Sequence, residues 1–235
     1  MTDKGNDIYS DYDKFYLQDK AIGADNYNRR CKGFRKKVGP LLEGRGNMRI
    51  LDLGCGCGYL CYYLRRKGFD DVTGIDQDEN LIAIAAENID ARFIAGDGLE
   101  HLRNEKKKYD AIFLWNVIEH IPSEGTIEFL RTICNSLSED GFVVIRTPNL
   151  SNVMGHASFR DDFTHVTGYT ENRLEQVARI AGFAKVEQLN QFRMQNFTGK
   201  VKACINFVMH RFLLWMRGGT SPKVYYRNLY AVLRK

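Results

Sequence analysis

Nowhere in the 235 residues does an apolar run reach the length of a membrane span, so a chain that does not cross the bilayer is expected. The opening residues, Met1 to Asp7, are polar and acidic, unlike a secretory or transit leader, which points to the cytoplasm. Cysteine is scarce and unframed. The six cysteines show no staple spacing, no histidine lies near Cys55, Cys57 and Cys61, and C-x-C-x-x-x-C is not a zinc spacing. Those three read as small residues filling a tight turn. Acidic residues are missing altogether from Gln188 to Lys235, where nine lysines and arginines stand, so a chain of net charge +5 carries +9 in its tail. A tail of one sign suggests an anionic partner or a solvated face. Internal repeats and low-complexity segments are also lacking.

What is present is organised around residues 49–60. The apolar Ile50, Leu51 and Leu53 read as a buried strand, and Gly54, Gly56 and Gly58 follow at alternate positions. A helical period then runs from Tyr59 and ends at Gly68. Strand, glycine turn and helix open a nucleotide-binding βαβ unit. Tyr59 stands where G-x-G-x-x-G needs its third glycine, which disfavours a dinucleotide such as NAD.

Taken in order, residues 8–20 read as an aromatic N-terminal flap or as packing against the first helix, and 24–43 as one helix. Strands are expected at 71–76, 91–95, 109–115, 141–147 and 184–189, with a last, antiparallel one near the C-terminus. Helices are expected at 79–88, 123–137 and 170–181. Asp76 closes the second strand about 20 residues past the glycines, where a doubly wound fold puts the carboxylate that takes ribose hydroxyls. Gly96-Asp97-Gly98 offers a carboxylate and backbone N–H groups, a pair suited to an adenine edge. Residues 150–169 have no period and read as a long functional loop holding Asp161, Asp162 and His165.

These pieces together resemble the class I S-adenosyl-L-methionine (AdoMet) dependent methyltransferases over nearly the whole chain. The resemblance rests on ILDLGCGCG, GIDQDENLI, AGDGLEHL, YDAIFLWNVIEHIP and LSEDGFVVIRTPN in that order. It implies a Rossmann-like α/β fold, a seven-stranded mixed sheet in the order 3-2-1-4-5-7-6 with strand 7 antiparallel and helices on both faces. It also implies one methyltransferase domain over 1–235: a flap and helix at 1–47, a cofactor-binding core at 48–149, and acceptor-side loop, helices and strands at 150–235. AdoMet would be the cofactor and S-adenosyl-L-homocysteine the product. Carried across, Gly54, Cys55 and Gly56 would line its methionyl part, Asp76 would hold the ribose, Gln77, Asp97 and Gly98 would meet the adenine, and Asn116 would close the pocket. A carboxylate at Asp52 suits a cationic methionyl end better than a pyrophosphate. The I-E-H-I-P turn is similar to ubiquinone-biosynthesis O-methyltransferases. The D-F-T-H-V-T-G-Y-T segment resembles methyltransferases encoded with bacterial capsule and O-antigen genes, which implies a sugar hydroxyl of a surface glycan or its precursor as acceptor; the alternatives are a small-molecule O- or N-methyltransferase of the ubiquinone-biosynthesis type and a non-catalytic AdoMet-binding protein.

A hydroxyl acceptor calls for a general base, and His165 and His120 are the candidates, His165 first for its loop placement. Glu119, Asp161 and Asp162 make no evident oxygen-ligand set, so no metal is expected. Enzymes that flip a base use a proline–aromatic turn after strand four; Asn116-Val117-Ile118-Glu119 stands here, so no nucleic-acid partner is expected. Residues 199–217 predict a helix with Val201, Cys204, Ile205, Val208, Phe212, Trp215 and Met216 on one face. Two outcomes are open for it: packing on the sheet or in a homodimer, or contact with the inner membrane surface.

Overall fold

The glycine turn at residues 54–58 is held in place by the strand before it and the helix after it, and both follow from local composition. The computed structural model describes residues 23–189, 197–217, 224 and 226–235; the expected flap at 8–20 lies outside these. Contacts divide the chain into two compact units, one ending at Phe113 and one beginning at Leu114.

In the first unit the elements are α1 (Ala24–Lys37), α2 (Gly39–Leu42), β1 (Ile50–Leu53), α3 (Tyr59–Arg66), β2 (Val72–Asp76), α4 (Glu79–Asn88), β3 (Arg92–Ala95) and α5 (Gly98–Asn104). Strand β4 (Tyr109–Trp115) straddles the boundary. All four residues of β1 are buried, as a continuous apolar run in a parallel sheet requires. Its neighbour β2 pairs parallel with both β1 and β3. Each fully buried Leu or Ile here contributes about 1.5–3 kcal/mol.

The second unit holds a 3₁₀ turn (Ile118–His120), α6 (Ser123–Ser136), β5 (Leu137–Pro148), α7 (Val153–Arg160), α8 (Glu171–Ile180), β6 (Lys185–Gln188), α9 (Phe197–Arg217) and β7 (Asn228–Arg234). Strand β7 runs antiparallel to both β5 and β6. The sheet has seven strands in the order β3-β2-β1-β4-β5-β7-β6, as the resemblance implied.

Four local expectations need correction. The helix expected over 24–43 is two helices, because Pro40 has no N–H to continue α1 and the chain breaks at Val38, whose N–H closes on Phe34 O at 2.7 Å. Helix α5 was not foreseen; Asp97 starts it by accepting Glu100 N–H at 2.8 Å. The supposed loop at 150–169 contains α7, capped by Asn152 through Met154 N–H (2.8 Å) and Gly155 N–H (3.1 Å). Its period is hidden by Gly155, where a Cβ would meet Asn149 O at 2.0 Å, so only glycine lets this helix approach the end of β5. Strand β5 begins at Leu137, directly after α6, rather than at residue 141.

Candidate active site

In the first unit the three glycines all adopt positive φ: Gly54 at 74°, Gly56 at 53° and Gly58 at 76°. At Gly58 a side chain is excluded twice, by that backbone and by Ile89 Cδ1, 2.6 Å from where a Cβ would stand. At Gly56 the nearest atom to such a Cβ is Leu81 Cδ1 at 3.9 Å, so the turn stays open to a ligand. The turn is braced from behind. Buried Tyr27 on α1 donates its hydroxyl to Cys57 O at 2.8 Å and packs its ring against Tyr59 and Tyr62, centroids 5.1 and 4.9 Å away. Sequence reasoning did not single out Tyr27.

The acidic residues expected at the cofactor are brought around this turn. Asp76 Oδ2 accepts Gly56 N–H at 2.7 Å and Oδ1 accepts Asp78 N–H at 3.1 Å. A carboxylate has about four acceptor positions, so capacity remains for a ribose hydroxyl. Burial raises the Asp76 pKa, while those backbone N–H groups oppose the shift. Asp97 Oδ2 receives Gln77 Nε2 at 3.4 Å, which joins the two residues expected at the adenine. A Cβ at Gly98 would meet Leu53 Cγ at 2.9 Å, so α5 starts tight against the end of β1. Asp52 is buried on β1, with Cys61 Sγ 3.7 Å from Oδ2 and no partner for Oδ1 among the described residues. Burial pushes its carboxyl up to about 7. An orphaned buried acceptor fits a cationic ligand group, so the cradle suits AdoMet. Burial also raises the thiols of Cys55 and Cys61, and brings Cys57 to about 11, which keeps all three protonated and inert as ligands.

The second unit carries its own constellation beyond β4 and β5. Asn116 follows β4 at φ 62°, a left-handed backbone that asparagine tolerates. Its N–H donates to Arg146 O at 2.8 Å, and its Oδ1 accepts from the Arg146 guanidinium, which in turn reaches Tyr230 Oη at 3.1 Å. Asn116 is thus fixed by Arg146, a strand residue with no local motif to mark it.

His120 and His165, 45 positions apart in the chain, meet edge to face with centroids 4.7 Å apart. Thr164 N–H and Oγ1 both donate to Asp162 Oδ1, at 3.0 and 2.5 Å. With its proton committed, the Thr164 oxygen accepts from His120 Nδ1 at 3.0 Å, which leaves Nε2 as the lone-pair nitrogen. His165 Nδ1 donates to Phe159 O at 2.9 Å, and its ring stacks on Phe159. Its Nε2 faces Asp162 Oδ2 at 3.8 Å and Glu119 Oε1 at 4.0 Å. Burial first, then His165, lowers the His120 pKa to about 4. Burial raises Glu119 to about 7. Asp161 takes no part in this set; it caps α7 instead. Thr164 was missed, although the Asp-x-Thr spacing is that of a local side-chain turn.

Glu119, His120 and His165 also bring one ligand atom each to within 4.8 Å of one another. The expectation of no metal weighed carboxylates alone, whereas this group mixes a carboxylate with two imidazoles, a set suited to a divalent transition ion.

A model of the methyltransferase domain matches residues 24–188. The chain belongs to the methyltransferase-domain family. This methyltransferase is 32% identical over 123 residues to a ubiquinone biosynthesis O-methyltransferase of Bradyrhizobium diazoefficiens, a match spanning 51% of this chain and 47% of that protein. It is 33% identical over 108 residues to the one of Rickettsia bellii, spanning 44% and 43%. The chain therefore spans less than half the length of these curated relatives. Among solved structures, a SAM-dependent methyltransferase of Archaeoglobus fulgidus superposes with a TM-score of 0.68 at 20% identity, over 95% of this chain and 99% of that one. Magnesium protoporphyrin IX methyltransferase of Synechocystis with bound SAH superposes at 0.62 and 14% identity, over 98% of each. These likenesses establish the fold, and the family model establishes a methyltransferase domain over residues 24–188. Among the described residues no helix is long and apolar enough to cross a membrane.

Proposed function

We propose that this methyltransferase acts on a hydroxyl acceptor and that His120 takes the hydroxyl's proton. The observation that carries the reading is the Asp162–Thr164–His120 chain of hydrogen bonds, which fixes the imidazole tautomer and ring position. The cofactor supplies a methyl group on a sulfonium. His120 Nε2 would take the proton that the acceptor hydroxyl gives up as its oxygen gains the methyl group. A pKa of about 4 keeps His120 neutral, and so able to accept, across the physiological range. His165 is a positioning residue in this reading, held by Phe159 and packed against the His120 ring. Asp52, Gly54, Cys55, Gly56, Asp76, Gln77, Asp97 and Gly98 hold the cofactor.

The acceptor we propose is a sugar hydroxyl of a surface glycan or its precursor. Its support is the D-F-T-H-V-T-G-Y-T segment, which supplies Asp162, Thr164 and His165 to the constellation. A phenolic acceptor of the ubiquinone-biosynthesis kind is the second reading. It is favoured by the curated relatives and by the weak basicity of His120, because a phenol near pKa 10 gives up its proton more readily than an aliphatic alcohol. Incubation with AdoMet and each acceptor series, followed by mass spectrometry, decides between them: the true class gains one methyl mass while SAH accumulates. SAH formation with neither class would overturn both assignments.

A further inference from the structure

Helix α9 is turned the opposite way from an ordinary surface helix. His210 is 4% exposed. Its Nδ1 donates to Asn206 O at 2.9 Å, and its Nε2 accepts Val153 N–H of α7 at 3.3 Å. His210 therefore ties this side of α9 to α7 within the second unit. With 3.6 residues per turn, Val201, Ile205, Val208, Phe212 and Trp215 project from the side opposite His210. They are exposed accordingly, Trp215 at 78%, and Phe197 at the start of the helix at 80%. Ten of the fifteen large hydrophobic side chains exposed among the described residues belong to this one helix. The expectation that Val201 and its neighbours pack on the sheet is not met.

Charge is arranged around that face rather than on it. By the same helical spacing, Lys200 and Arg211 stand at one margin and Lys202 at the other, all three exposed. Neither α9 nor the rest of the chain from Gln188 onward holds an acidic residue. We propose that α9 lies flat on an anionic lipid bilayer, with its outward apolar side chains in the acyl region and its marginal cations among the headgroup phosphates. Long basic side chains reach outward from such margins while their stems stay apolar, and Trp and Phe are suited to the interface. Helix α9 has 21 residues but is not apolar enough for a span, which agrees with a helix in the plane of the surface. A second copy of this chain fits less well. Two-fold pairing of acid-free helices would oppose lysine and arginine with their like, and no acidic residue of the tail is there to answer them.

Co-sedimentation of the full chain with vesicles tests this, using phosphatidylcholine alone and phosphatidylcholine mixed with phosphatidylglycerol. Binding is expected only to the mixed vesicles and is expected to fall with added salt. Lys202→Ala should lower the partition coefficient about fivefold, the loss of one surface cation. Val208→Glu should abolish binding while AdoMet affinity, the control for folding, stays unchanged. Equal binding to neutral vesicles, or none to either kind, overturns the proposal. So does a dimer in sedimentation velocity that Val208→Glu dissociates, which would assign the face to a second copy. Because the readout is lipid binding, failure here leaves the hydroxyl-acceptor reading standing.

Discussion

His120 Nδ1 and the Thr164 hydroxyl stand 3.0 Å apart, and the Thr164 proton is already given to Asp162. The imidazole is therefore oriented by a threonine and a carboxylate acting in series. His120→Ala is expected to lower kcat by about 10²–10⁴-fold and to leave AdoMet affinity unchanged. Thr164→Val should lower kcat less, because the ring remains but its tautomer is no longer enforced. Single-turnover rates and calorimetry of the two variants check this. An intact rate in His120→Ala would move the role to His165.

Glu119 makes stability depend on pH in a direction that can be worked out. Burial lifts its folded pKa to about 7 from an ordinary 4.5, so between those values the folded chain binds more protons than the unfolded one. Its contribution is full at low pH and is lost as pH rises through about 7. His120, with its lowered pKa, acts in the opposite sense, so the wild-type curve alone is not diagnostic. The difference between Glu119→Gln and wild type isolates the carboxyl. From about pH 5 to about pH 8 the variant should gain up to about 3 kcal/mol relative to wild type. Urea melts at the two pH values measure it; a difference that does not change with pH would show that Glu119 is not held neutral.

Asp76 has two duties that one substitution separates from folding. Its carboxylate closes the glycine turn through Gly56 N–H, and its remaining acceptor positions are assigned to ribose hydroxyls. Asp76→Ala should weaken AdoMet binding by roughly 1–3 kcal/mol, the cost of unpaired hydroxyls. Calorimetry with an adenosine-free sulfonium, as well as with AdoMet, should show a loss confined to the nucleoside-bearing ligand. Unchanged AdoMet affinity would remove Asp76 from the cofactor.

How much of this was legible in the sequence depends on how local each cause is. The glycine turn and Asp76 were legible because alternate glycines, a preceding apolar run and a fixed 20-residue offset all act within one βαβ unit. Helices α5 and α7 were legible in principle through Asp97 and Asn152 as caps, but each is short and carries a weak period. The meeting of His120 and His165 was not, since 45 residues and two strands' pairing lie between them. Helix α9 misled for a different reason. An apolar stripe normally faces inward, and nothing in the order of residues says that His210 makes the inward contact instead.

The metal question can be put as an inhibition experiment. His120 and His165 each give their Nδ1 proton to an oxygen, Thr164 Oγ1 and Phe159 O, an arrangement that directs both Nε2 atoms away from those partners. Glu119, His120 and His165 each bring one ligand atom to within 4.8 Å of the others, close enough for a zinc or similar ion to bridge. If His120 acts as the base, an ion on its imidazole competes with the proton that the ring must take. Added zinc should then inhibit methyl transfer, and inhibition should be lost in Glu119→Gln, which weakens the site without touching the base. Treatment with a chelator should leave the rate of the purified protein unchanged. The opposite pattern, loss on chelation with recovery on adding a divalent ion, would make His120 a ligand and transfer the activation of the hydroxyl to the metal.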